Sequence, residues 1–168
     1  ASWQFETIDT RAVKASPASG KPNRFAEFDA TAVESLADKA QANGNAARGV
    51  ALFASAKSAC VSCHKIGKLG GSIGPDMSEI GKQRTVEQLI ESVLWPNRNV
   101  EEKFRVTQVL TSEGQVVRGY IASEDDRSLV ILDPATDTKQ TIAIGDIEER
   151  KQVPSLMPEG LVNAWTEE

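Results

Sequence analysis

Cysteine, histidine and methionine are nearly missing from this chain of 168 residues, which has two, one and two of them. Two cysteines three positions apart cannot staple distant segments, so no disulfide framework supports the fold. One histidine rules out paired imidazoles for acid–base work. It also leaves too few ligands for a structural zinc site, which takes four. Aromatic residues are only 5% of a chain that is 40% hydrophobic, so a core can form with volume to spare for a bulky apolar body. No apolar run approaches the ~18 residues of a membrane span. No charged-then-apolar leader is present, so any export signal is expected to have been removed. The length suits one domain, or a domain with an appendage.

What acidity there is lies unevenly. The net charge is -5, yet from Lys39 to Pro75 there are Lys39, Arg48, Lys57, Lys65 and Lys68 and no acidic residue. A solvated surface with chance clustering explains such a block. The functional reading is a collar that steers a partner with an acidic docking surface. Nucleic acid is excluded as a partner, because the chain is acidic overall and shows no basic-aromatic interleaving.

Residues 1–29 read as a leader or linker, with Pro17, Gly20 and Pro22 among small and basic residues and "WQFETI" as a possible docking strand. Ala30–Ala42 has helical spacing, with Asp29 as N-cap. "AARGVALFASA" follows as a second helix capped by Asn45, and its Gly49 suggests close approach of another backbone. Gly67 to Gly74 reads as loop. "TVEQLIESVLW" is a third helix, with Thr85 and Gln88 forming a capping box. Then the period changes to two. "KFRVTQVL", "QVVRGYIA", "SLVILD" and "KQTIAI" read as an antiparallel meander, extended by "IEERKQV".

The scarce residues converge in "CVSCHKIGKLGGSIGPDM", which holds Cys60, Cys63, His64 and Met77. Cys-x-x-Cys-His is the attachment signature of c-type haem. Two thiols on one helical turn can reach the two vinyl groups of a porphyrin, and the adjacent imidazole then turns toward the iron. A thioredoxin-like redox pair needs a strand-then-helix context, whereas here a helix precedes and a glycine loop follows. A chance pentapeptide in a core is the bland alternative. With no second histidine, the sixth iron position falls to a methionine thioether. Met157, stiffened between Pro154 and Pro158, is favoured over Met77, for which packing is the simpler role. The Pro75 carbonyl is placed to accept the other ring N–H of His64, which fixes the imidazole.

The ordered set "GVALFASAKSACVSCHKIGKLGGSIGPDMSEIGK", "EQLIESVLWPNRNV", the strand region and "SLMPEGL" resembles the haem-binding domain of planctomycete and verrucomicrobial proteins, over about residues 45–166. The resemblance implies an α+β fold: a class I cytochrome c-like helical haem domain over 30–168, with an inserted antiparallel β meander at about 103–153 between the proximal loop and the methionine loop. It implies one covalent haem c on Cys60 and Cys63, with His64 proximal, Met157 distal and the Gly74, Pro75, Asp76 turn lining the proximal side. Two residues depart from the family pattern. Leucine is usual at Met77, and an acidic residue at Trp95. A final helix, which Thr166 would cap, is also missing. Either the chain is an excised fragment, or the helix at Ala30–Ala42 takes over that packing, or another chain supplies it.

The function implied is one-electron transfer, with electrons accepted from a dehydrogenase-type partner or fused domain. Methionine–histidine ligation leaves no open iron position, and no constellation looks catalytic, so an enzyme is not expected. The runner-up is a haem enzyme or gas sensor with a labile sixth ligand. A binding module built on the meander ranks last, since its strands carry only Phe104 and Tyr120 as aromatic surface. Haem attachment needs reduced thiols and export machinery, which implies a periplasmic or exported protein.

Overall fold

A computed structural model describes residues 25–55 and 59–163. The expected strand at "WQFETI", the leader before residue 25, Lys57 and the Thr166 cap lie outside the described residues. The chain divides into two compact units, Ala1–Arg98 with Met157–Glu168, and Asn99–Leu156.

The first unit carries the helices, and they are short. Helix α1 spans Ala30–Asn43, where the Asp29 carboxylate caps it by accepting from the Thr31 and Ala32 amides at 2.9 and 3.1 Å. Helix α2 spans Ala46–Ala54 and buries none of its residues; Asn45 Oδ1 caps it at the Arg48 amide. Single turns follow at α3 (Cys60–Cys63) and α4 (Ile80–Gln83), and α5 spans Val86–Leu94. The capping box of α5 is present: Gln88 N–H donates to Thr85 Oγ1, and Thr85 N–H donates to Gln88 Oε1. Two-residue strands β1 (Lys65–Ile66) and β2 (Leu69–Gly70) pair antiparallel inside the segment read as loop.

The core of this unit lies where α1 meets α5. Val33, Leu94 and Trp95 are buried, with Phe25, Leu36, Ile90 and Val162 packed around them. Phe25 and Phe28 meet the indole edge-on at centroid distances of 6.0 and 5.1 Å. The Arg98 guanidinium stacks 3.6 Å over Phe28 and pairs with Glu91 at 2.6 Å. Trp95 is thus the keystone of this cluster. Its buried Nε1–H has no partner among the described residues.

The second unit is a five-stranded antiparallel sheet in the order β6-β5-β4-β3-β7. Its strands are β3 (Val106–Thr111), β4 (Val116–Glu124), β5 (Ser128–Asp133), β6 (Thr138–Ala143) and β7 (Ile147–Val153). Alternation drives it. Val109, Val117, Leu129, Ile131 and Ile142 all point to one side and form the core, with Ile147 against it. Arg150 pairs with Val109, which pairs with Val117. Glu124 is seven residues beyond Val117, or about 23 Å along a straight strand. Arg150 nevertheless grips Glu124 with two bonds of 2.6 and 3.0 Å. The sheet must therefore curl, and the register shift between Ile121 and Ser123 marks the bend.

This architecture corrects the expected one. The chain is not an α+β, class I cytochrome c-like helical haem domain; the described residues form a mostly β structure with a few short helices. The fully buried side chains Leu129, Ile131 and Val109 all belong to the sheet. The helical spacings were real but marked three elements of nine to fourteen residues, in which only Val33, Ala37 and Leu94 are buried. Gly49 is a second correction: a Cβ there would meet nothing within 4 Å, so no backbone approaches it.

Candidate functional site

The local chain dictates how the two thiols are presented. Ala59 adopts a left-handed conformation (φ 54°) that turns the backbone into α3. Its carbonyl accepts from the Ser62 amide at 3.0 Å and from the Ser62 hydroxyl at 2.6 Å, and His64 N–H closes the turn on Cys60 O at 2.9 Å. Residues three apart on a helix share a face, so Cys60 and Cys63 stand one above the other. Neither cysteine is in a disulfide and both are half-buried, while Val61 between them is buried and anchors the turn. Because the Ser62 hydroxyl proton goes to Ala59 O, the 3.7 Å contact between Ser62 Oγ and Cys63 Sγ has the thiol as donor.

His64 is 9% exposed. Its Nδ1–H donates to Pro75 O at 2.9 Å. A carbonyl only accepts, so a proton is assigned to Nδ1, and Nε2 is the ring nitrogen left for another partner. Phe53 of α2 stands beside the imidazole with ring centroids 6.5 Å apart.

The glycine-rich stretch earns its composition by proximity. A Cβ on Gly70, at φ 106°, would strike His64 O, and one on Gly71 would strike Ser62 O. Gly74 lies against the imidazole itself. Gly71 N–H donates to Val61 O at 3.0 Å and Gly74 N–H to Cys63 O at 2.8 Å. The segment thus folds back over the motif, which only residues without a side chain permit.

Beyond Pro75 the strap continues. Met77 N–H donates to Lys65 O at 2.7 Å, and Gly67 N–H donates to Ser78 Oγ at 2.7 Å. Asp76 accepts from both the hydroxyl and the amide of Ser78. Those two donors, the hydroxyl foremost, hold the exposed Asp76 carboxyl below the usual carboxylate range, and Lys65 at 3.9 Å adds to them. The Asp-x-Ser spacing is a recognised turn signal, but the sequence analysis assigned Ser78 no role.

Cys60, Cys63, His64 and Pro75 are therefore brought together. Met77 is half-buried and tied by its backbone to β1, next to His64. Met157 is half-buried in the bend of the returning segment, in the same compact unit as His64. That segment is fastened by Val162 in the α1–α5 core and by Asn97 donating to Glu159 at 2.6 Å. Lys39, Arg48, Lys65 and Lys68 are all exposed. Among the described residues no three His, Cys, Asp or Glu side chains group as a metal site, and no helix is long and apolar enough to cross a membrane. Compared with known proteins, the chain matches no family model and no curated relative.

Proposed function

We propose that this chain carries one covalent haem c and works as a one-electron carrier. The observation that carries the reading is the state of His64. Its Nδ1–H is committed to Pro75 O, so Nε2 is left as a ligand atom directly after a turn that presents two cysteines outside any disulfide. These residues fit the group: Cys60 and Cys63 would form the thioethers, His64 Nε2 would bind iron, and Gly74 and Pro75 would fix the ring.

Bound haem supplies an iron couple whose potential follows its axial ligands and the surrounding hydrogen bonds. The chain's own residues do the rest. The Pro75 carbonyl orients the imidazole and raises its basicity as a ligand. Buried Val61 and the half-buried Phe53 present apolar surface beside the turn. Met157 would supply the second iron ligand, with Met77 as the other thioether in the unit. The resemblance to the planctomycete and verrucomicrobial haem-binding domain supports this set residue by residue at Cys60, Cys63, His64, Pro75 and Met157.

The exposed cations from Lys39 to Lys68 favour a redox partner that is acidic where it docks, of the dehydrogenase type or fused to this chain. Attachment through reduced thiols assigns the protein to the periplasm or to an exported assembly. The test is the intact mass and visible spectrum of the chain made in cells competent to mature cytochromes. Mass increased by one haem, with a low-spin spectrum that changes on reduction, is expected. A colourless chain whose two thiols still alkylate ends the reading.

A further inference from the structure

We infer that Asp76 and Ser78 are positioning residues that hold the His64 imidazole through the Pro75 carbonyl. The inference rests on the proposed function only in the purpose it gives that ring. Pro75 has no N–H, so it cannot fasten itself to the segment beneath it. Its carbonyl must be located by its neighbours. On one side Gly74 N–H holds Cys63 O at 2.8 Å; on the other, Met77 N–H holds Lys65 O at 2.7 Å. The last tie is made by side chains. Ser78 Oγ accepts from Gly67 N–H at 2.7 Å and passes its own proton to Asp76, which also accepts from the Ser78 amide at 2.8 Å.

The ties run in register: Gly74 on Cys63, Pro75 on His64, Met77 on Lys65 and Ser78 on Gly67. Gly67 lies at φ 58° in the β1–β2 turn, which aims its N–H at Ser78. Without the hydroxyl, Gly67 N–H and the Asp76 carboxylate lose their shared partner and the far end of the strap is free to lift. Asp76 and Ser78 are both exposed, so neither fills the core, and truncating either opens no cavity. Their contribution is to geometry at the ring.

The single histidine makes the test direct, because nitrogen-15 histidine labelling of the full chain gives one imidazole signal. The readout is exchange of the Nδ1 proton with water, measured in the reduced protein as purified, with haem content scored separately by mass. Ser78→Ala and Asp76→Ala are expected to speed that exchange about tenfold or more, as local opening of the strap requires. Ser78→Thr keeps the hydroxyl and Asp76→Asn keeps the acceptor oxygen, so both are expected to stay within about twofold of the parent. Asp76→Asn also removes the charge facing Lys65, which separates bond geometry from charge.

Unchanged exchange in both alanine variants overturns the inference. So does exchange in the conservative variants as fast as in the alanine ones. Dispersed amide signals from the sheet report whether each variant folds. If Ser78→Ala unfolds, Asp76→Ala decides; if both unfold, the pair supports the fold rather than the ring and the inference fails. A chain without haem that follows the exchange pattern sinks the proposed function alone. A haem-bearing chain indifferent to Ser78 sinks the inference alone.

Discussion

Gly74 lies so close to His64 that a Cβ at this position would stand 2.6 Å from Cε1, 2.9 Å from Nδ1 and 3.0 Å from Nε2 of the imidazole. The first two distances are shorter than side-chain carbons tolerate and the third is tighter than most, and the neighbours leave little room to yield. Gly74 N–H is bonded to Cys63 O, and the ring is bonded to Pro75 O. Gly74→Ala is therefore expected to cost the helical unit about 1–3 kcal/mol, the usual range for overpacking. On the proposed function it is also expected to reduce the haem recovered per chain, because the added methyl would sit beside the nitrogen proposed to bind iron. Urea unfolding followed by tryptophan fluorescence checks the first effect, and absorbance per chain checks the second. An unchanged midpoint with full haem would mean that the imidazole moves aside freely.

Legibility differed sharply between the two periods. Strand β5 was readable to the residue, because "SLVILD" is a short apolar run bounded by aspartates that accept from backbone amides in the flanking turns. The start of β3 was not: Glu102–Phe104 forms a 3-10 turn where "KFRVTQVL" read as strand, and a three-residue turn has no period of its own. The three longest helices were legible, with Asp29, Asn45 and Thr85 as their caps, but the single turn at Ile80–Gln83 and the fold class were not. Helical spacing says which face of a segment is apolar, not how much core that face closes. Helix α2 shows this best, with an apolar sequence and no buried residue. The β1–β2 hairpin was invisible because two residues per strand fall below any periodic window. The motif residues were legible because their chemistry is rare in this chain. The strap that fixes them was not, since backbone amides and glycine contacts leave little sequence signature.

The sheet core sets a second expectation. Leu129 is fully buried and packs among Val109, Val117, Ile131 and Ile142. Truncating it removes three carbons from a site enclosed by strands on both sides, so collapse around the void is limited. Leu129→Ala should destabilise the Asn99–Leu156 unit by about 2–5 kcal/mol, and Ile131→Val by about 0.5–1.5 kcal/mol. Denaturant titration followed by circular dichroism of the strands measures both. Equal losses from the two substitutions would contradict the packing described.

Acid should weaken the sheet by a route that can be traced to one pair. The Arg150 guanidinium holds the Glu124 carboxyl below its ordinary value, chiefly by hydrogen bonding. The Asp125 carboxyl is held down in the same way by the Arg127 and Ser128 amides. A carboxylate whose folded pKa is depressed adds stability above its unfolded pKa and loses it as pH falls through the folded value. The denaturation midpoint should therefore fall on acidification below the ordinary carboxylate range, about pH 4. Glu124→Gln should flatten part of that fall and lower stability near neutrality, modestly, since the pair is more than a third exposed. A variant with the parent's full acid slope would mean the pair contributes nothing to it.

The assignment of the distal ligand turns on two thioethers with different constraints. Met77 N–H is fixed to Lys65 O, one residue after His64, so its backbone is bound to the same strap that carries the imidazole. A side chain held there would have to reach round to the opposite face of a planar ring from the histidine's own side. Met157 comes from a separate segment, flanked by Pro158 and fastened downstream at Glu159 and Val162. Met157→Leu should abolish the methionine-to-iron charge-transfer band of the oxidised protein, lower its reduction potential and make the reduced form bind carbon monoxide rapidly. Met77→Leu should leave all three properties close to those of the parent. Carbon monoxide separates the carrier from the sensor reading at the same bench: slow, weak binding by the parent fits a closed iron, and rapid, tight binding fits a labile ligand. Survival of the band in Met157→Leu with its loss in Met77→Leu would exchange the two assignments.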